Sequence, residues 1–308
     1  MRIVFMGTPD FARGALEEII GEGYEVVLVV TQPDRPQGRS GKLVASPVKE
    51  CAEKHGIPVF QPEKIRLPEA VEKVREYDAD LFIVAAFGQI LTKEILDMPR
   101  LGCVNIHASL LPKYRGAAPI QWAIINGDEY TGVTIMKMAE GVDTGDILTS
   151  EKVKICDDDT ADSLFDKLCK CGAKLMARTI PLIENGSLTP VPQDESKATH
   201  VSKITKEMGE IDFTQKACEI ERLVRGLNSW PSAYTFLEGK QLKIWEASVC
   251  EKEGRSGEIL CIDKDSFTVG TGEGSLKVLQ LQLEGKKRMS THDFLLGAGL
   301  SEGLILGR

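Results

Sequence analysis

Asn105 and His107 stand two residues apart, beside Val104 and Ile106 and downstream of an apolar run at 81–86. On an extended segment, residues two apart point to the same side. Both are polar, and they sit where a buried strand gives way to a loop, which is where an open α/β sheet keeps its chemistry. A second polar cluster, Gly-Val-Asp-Thr-Gly-Asp at 141–146, lies one helix and one strand further on and could bring Asp143 to the same place. An amide offers N–H donors to a developing oxyanion. An imidazole accepts a proton or, when charged, donates to that oxyanion, and a carboxylate holds the imidazole or relays a proton. Together they suit attack on a carbonyl without an enzyme nucleophile. Ser109 would be the nucleophile of a hydrolase, but no Gly-x-Ser-x-Gly elbow surrounds it. A lone Asn-x-His is also a poor metal site. Taken singly, His107 reads equally as a hydrogen-bonded structural residue and Asp143 as a turn residue.

The surrounding elements alternate. Residues 3–6 and 26–31 read as buried strands joined by a helix from Asp10, the candidate cap, to about residue 20, with Phe11, Leu16, Ile19 and Ile20 on one face. The intervening Gly-Thr-Pro-Asp-Phe-Ala is not Gly-x-Gly-x-x-Gly, which argues against a dinucleotide cradle. Residues 32–46 form a long loop carrying Arg35, Arg39 and Lys42; such loops are functional arms or solvated and mobile. Helices at 47–55, 67–77 and 117–125, strands at 59–60, 80–87, 131–138 and 146–155, and a long helix from Thr160 complete an α/β pattern. It implies a mostly parallel, Rossmann-like sheet with helices on both faces. Residues 188–203 are rich in Pro, Gln, Thr and Ser and read as a linker. From 204 to 308, one helix (216–226) precedes short apolar stretches at 233–237, 242–249, 257–261, 266–270 and 276–283, the spacing of a small, OB-like β-barrel. The expected organisation is therefore 1–187, linker 188–203, and 204–308.

The 308 residues are 42% hydrophobic and 27% charged, enough for two globular domains. Neither a signal or transit peptide nor a membrane-length run is evident, so a cytoplasmic protein is expected. Eight scattered cysteines without Cys-x-x-Cys read as free thiols, and the count of four histidines argues against a structural zinc site. The net charge of −8 excludes a general nucleic-acid coat but not a local basic patch. The acidic excess is roughly −7 through residue 201 and roughly −1 beyond it.

The order Asn105-x-His107-x-Ser109-Leu-Leu-Pro112-x-Tyr114-Arg-Gly116, then Thr131-Gly-Val-Thr and Val142-Asp-Thr-Gly-Asp, resembles the formyl-tetrahydrofolate transferase family. Gly-Thr-Pro-Asp-Phe at 7–11, Thr-Gln-Pro-Asp-Arg-Pro at 31–36, Ala-Ala-Pro-Ile-Gln at 117–121, Asn-Ser-Trp-Pro at 228–231 and Gly-Lys-Lys-Arg-Met-Ser at 285–290 extend the likeness essentially end to end. They resemble the members that act on the initiator tRNA. The resemblance implies formyl transfer from 10-formyltetrahydrofolate, released as tetrahydrofolate, to the α-amino group of methionine on initiator methionyl-tRNA. An α-amino group, with a pKa of about 7.7–8.0 or lower on an ester, asks for little base strength. The resemblance assigns Asn105 and protonated His107 to the oxyanion, Asp143 to orienting His107 and assisting proton transfer, and no metal. It assigns the folate pocket to Phe87, Gly88, Ser109, Leu110, Leu111 and Pro112. The tRNA contacts would be Arg39 and Lys42, with Lys286, Lys287 and Arg288 in the C-terminal part. Members often carry Gly-Arg-Gly-Lys-Lys in the basic loop; here one lysine position is Gly41. A turn between strands explains 286–288 equally well. A monomer is expected, and the alternative acceptor is another amine, such as a sugar nucleotide.

Overall fold

The computed structural model describes residues 1–37, 41–297 and 299–307. These residues fall into two compact units that interleave along the chain. The first holds Met1–Gly116, Tyr130–Lys154 and Phe165–Val201, and the second Ala117–Glu129, Ile155–Leu164 and the chain from Ser202 onward.

The first unit is built on a seven-stranded sheet. Its spatial order is Ile147–Lys154, Tyr130–Lys137, Cys103–His107, Leu81–Ala85, Arg2–Gly7, Glu25–Val30, Val59–Phe60. The last five pair in parallel, and Tyr130–Lys137 runs antiparallel to both its neighbours. Parallel strands buried on both faces need near-continuous apolar runs. Ile3, Val4, Phe5 and Met6 are fully buried, as are Leu81, Ile83 and Ala85. The helix Asp10–Gly21 lays Phe11, Ala12, Ala15, Leu16 and Ile19 against the interior. Its cap is Pro9, whose carbonyl accepts from Ala12 and Arg13 N–H. Asp10 does not cap; it is the first helical residue and pairs with Arg13 at 3.1 Å. The helix Pro47–Lys54 is capped by Ser46 Oγ, which accepts from Lys49 N–H at 3.1 Å.

Two details were not legible in the pattern. The basic loop contains a small hairpin, Arg35–Gln37 against Lys42–Val44. The non-periodic stretch after residue 187 packs with the first unit as far as Val201: Val191 and Ile147 exchange two backbone hydrogen bonds, and His200–Val201 pairs with Arg115–Gly116.

The second unit carries an antiparallel sheet in the order Ala233–Leu237, Lys240–Cys250, Ser275–Leu283, Phe267–Gly270, Ile259–Ile262, with Met289–Ser290 beside Ser275–Leu283. The tail joins the two end strands. Ile259 N–H donates to Leu304 O, Leu306 N–H to Gly257 O, and Gly307 N–H to Phe236 O, each at 2.8 Å. Inward residues alternate along the strands, so Leu242 with Ile244, Phe267 with Val269, and Leu276 with Val278 fill one core. The helices Pro119–Ile125 and Ala217–Gly226 pack together in this unit, Gly226 lying against Ile125. Among the described residues no helix is long and apolar enough to cross a membrane.

Candidate active site

The strand Cys103–His107 lies between a parallel neighbour, Leu81–Ala85, and an antiparallel one, Tyr130–Lys137; Asn105 pairs with Met136 and His107 with Thr134. The alternation expected of a strand places Asn105 and His107 together, and the loop that follows Tyr130–Lys137 folds back to them. His107 is 6% exposed. Its Nε2 lies 2.9 Å from the carbonyl oxygen of Tyr114, and its Nδ1 lies 3.6 Å from Asp143 Oδ2. Only an N–H can meet a carbonyl, so Nε2 carries a proton and Nδ1 is the nitrogen turned toward Asp143. Asn105 Nδ2 lies 3.5 Å from Asp143 Oδ1. The structure therefore brings the three predicted residues into one cluster, all within the first unit.

Asp143 is held from several sides. Gly116 N–H donates to its Oδ2 at 2.8 Å. Its backbone φ is +54°, in the left-handed region that Asp adopts more readily than most non-glycine residues. Gln193 Nε2 donates to Asp143 O at 2.8 Å and to Gly145 O at 2.7 Å. Gln193 Oε1 accepts from Arg115 Nε and Nη2 at 3.0 and 2.9 Å, and Arg115 donates to both carboxylate oxygens of Glu195 at 2.9 and 2.6 Å. Arg115 is 1% exposed, whereas the Glu195 side chain is 71% exposed. The hydrogen bonds to Glu195 hold the Arg115 pKa above its ordinary value, and those from Arg115 hold the Glu195 carboxyl below its own. Gly145 is required for close approach: a Cβ there would overlap the backbone of Lys137.

The residues assigned to folate are placed as follows. Ser109 is fully buried and its Oγ donates to Lys113 O at 2.7 Å, which removes it as a nucleophile. Thr134 Oγ1 donates to Ser109 O at 2.7 Å and accepts from Leu111 N–H at 3.1 Å, so one buried hydroxyl fixes the turn Ser109-Leu-Leu-Pro112. Leu110 and Pro112 are half-buried, Leu111 buried. Phe87 is buried and its carbonyl accepts from Gln32 Nε2 and Thr8 Oγ1; Gly88 follows at φ +80°.

Of the basic residues, Arg39 lies outside the described residues, and Lys42 is exposed on its hairpin. Lys286, Lys287 and Arg288 are exposed in the second unit, where the Arg288 guanidinium sits 4.7 Å from the Trp245 ring centroid. Among the described residues no group of three or more His, Cys, Asp or Glu could hold a metal ion. Sequence reasoning missed Gln193 and the Tyr114 carbonyl, and saw Thr134 in its motif without a role. Arg115 was visible in the motif without a role, but Gln193 lies in a polar, aperiodic stretch that carries no signal.

The model of the formyl transferase family matches residues 1–180, and that of the formyl transferase C-terminal domain matches residues 203–299. A methionyl-tRNA formyltransferase of Agathobacter rectalis is 57% identical over 305 residues, 98% of each chain. One of Lachnospira eligens is 54% identical over the full length of both. The chain belongs to the formyl transferase family. A solved structure, the sugar 3N-formyl transferase WlaRD with dTDP and 5-N-formyl-THF, superposes with a TM-score of 0.70 at 21% identity, over 93% of this chain and 99% of that one. At that identity the likeness speaks for the fold of this formyl transferase alone.

Proposed function

We propose that this formyl transferase is a methionyl-tRNA formyltransferase, moving a formyl group from 10-formyltetrahydrofolate to the α-amino group of methionine on the initiator tRNA. The observation that carries the reading is 57% identity across 98% of both chains to a protein of that activity. The folate supplies the formyl carbon and departs as tetrahydrofolate. Asn105 Nδ2 and His107 Nδ1–H are the donors to the oxygen on which charge develops. A well-aimed donor of this kind is worth on the order of 3 kcal/mol in the transition state. Asp143 lies beside Nδ1 and orients His107 toward the reacting oxygen, and its carboxylate is available to assist loss of the ammonium proton. Because Nε2 is committed to Tyr114 O, the proton that matters sits on Nδ1. The turn at 109–112 and Phe87-Gly88 follow neighbouring parallel strands and are the candidate folate contacts. Lys42, Arg39 and the exposed Lys286, Lys287 and Arg288 are the candidate phosphate contacts, with residues 204–308 as the RNA-binding part. The sugar-nucleotide alternative rests on likenesses of 18–21% to sugar formyltransferase structures.

The test is transfer of labelled formyl from 10-formyltetrahydrofolate to methionyl-tRNA. The reading expects formyl-methionine on the charged initiator and none on the elongator; formylation of a sugar nucleotide instead would replace it.

A further inference from the structure

We propose that Gln193 is a positioning residue for formyl transfer. It holds the backbone of the 141–145 loop on the Arg115 guanidinium and thereby sets the Asp143 carboxylate against His107. The proposal rests on the reading of Asp143 as a member of the reacting site.

The Gln193 amide has two donors and two acceptor positions, and all four are used: toward Asp143 O and Gly145 O on one side, toward Arg115 Nε and Nη2 on the other. Its orientation is therefore unique, since the flipped amide would set its oxygen against two carbonyls and its NH2 against a guanidinium. Arg115 and Gly116 are consecutive, so one chain step holds Asp143 twice. The Gly116 N–H takes the carboxylate, and the Arg115 side chain, through Gln193, takes the backbone. Two grips on one residue fix both its φ of +54° and the direction of its side chain. With the carboxylate so turned, Oδ2 faces His107 Nδ1 and Oδ1 faces Asn105 Nδ2. Without Gln193 the loop loses its donors to two carbonyls, and Asp143 is free to relax out of the left-handed region and carry its carboxylate away. Gln193 adds this hold without adding charge, its amide being neutral, and Glu195 balances the Arg115 cation.

The experiment is a double-mutant cycle on kcat for methionyl-tRNA formylation, with the full-length protein, KM for both substrates, the pH profile of kcat and Tm for each variant. Gln193→Ala and the isosteric Gln193→Glu, which replaces the donors with an acceptor, should each lower kcat on the order of 100-fold, the scale of a misplaced reacting group, and leave KM nearly unchanged. The pH profile should be displaced. In the Asp143→Ala background, Gln193→Ala should cost little more. An equal loss in both backgrounds would show that Gln193 does not act through Asp143 and overturn the proposal. So would a folded Gln193→Glu with wild-type kcat, in which case a slow Asp143→Ala would leave the reading of Asp143 standing. Wild-type kcat in Asp143→Ala would remove that reading and the proposal with it.

Discussion

The imidazole of His107 is tied through Nε2 to the carbonyl oxygen of Tyr114 at 2.9 Å, seven residues along the chain. That single bond decides which nitrogen faces Asp143. Tyr114 itself is held at φ +61°, its N–H donating to Thr199 Oγ1 at 2.8 Å, so the carbonyl is fixed before any substrate arrives. The site is preorganised by main chain on one side of His107 and by a carboxylate on the other.

Removing either donor should therefore remove transition-state stabilisation. Asn105→Ala and His107→Ala are each expected to lower kcat by roughly a hundredfold or more. Asn105→Ala should leave the urea midpoint close to wild type, because Asn105 is half-buried and makes one long contact. Steady-state kinetics beside urea titration separate the two effects, and near-normal rates in both variants would dissolve the proposed site.

Thr134→Val deletes the hydroxyl that joins Ser109 O to Leu111 N–H inside the protein. Two buried backbone groups lose a partner, at a cost of about 1–3 kcal/mol each at most. The expected result is a lower urea midpoint together with a raised KM for the folate. A stability loss with unchanged folate KM would detach the 109–112 turn from the pocket.

Gly145→Ala places a methyl group on the Lys137 backbone, which cannot yield without breaking the strand edge. The 141–145 loop must move, so activity should fall as far as in Asp143→Ala while the second unit's core keeps its melting behaviour. Activity measurements beside differential scanning calorimetry check this.

How much of this was readable beforehand depends on where the information lies. Helices with a regular apolar stripe and strands with continuous apolar runs were placed within a few residues: 10–20 against Asp10–Gly21, and 233–237 against Ala233–Leu237. The grouping of Asn105, His107 and Asp143 was legible because their spacing and motif coincide. Gln193 was not, because a glutamine in a polar loop has no period and acquires meaning only from the carbonyls it meets. The short helix Thr291–Leu295 and the tail that joins the end strands were missed for the same reason: tertiary pairing, not local pattern, makes them.

The segment that carries Gln193 is also pinned by ionised groups. Ser196 and Lys197 hold the Asp194 carboxyl down to about 2, and Arg115 lowers that of Glu195. A carboxyl whose folded pKa is depressed contributes stability that is present above its unfolded pKa and lost as pH falls through the folded value. Wild-type Tm should accordingly decline from just above pH 4 toward pH 2. The doubly substituted Asp194→Asn, Glu195→Gln protein should start lower and decline less steeply over that window. Parallel slopes would show that these contacts are not formed in solution.

The most direct test of the central claim is formylation of initiator methionyl-tRNA by the purified protein with 10-formyltetrahydrofolate, comparing wild type with His107→Ala. The account predicts formyl-methionine on the charged initiator alone, at a rate cut by roughly a hundredfold or more in the variant. Equal rates in the two proteins, or no transfer to the charged initiator by the wild type, would contradict it.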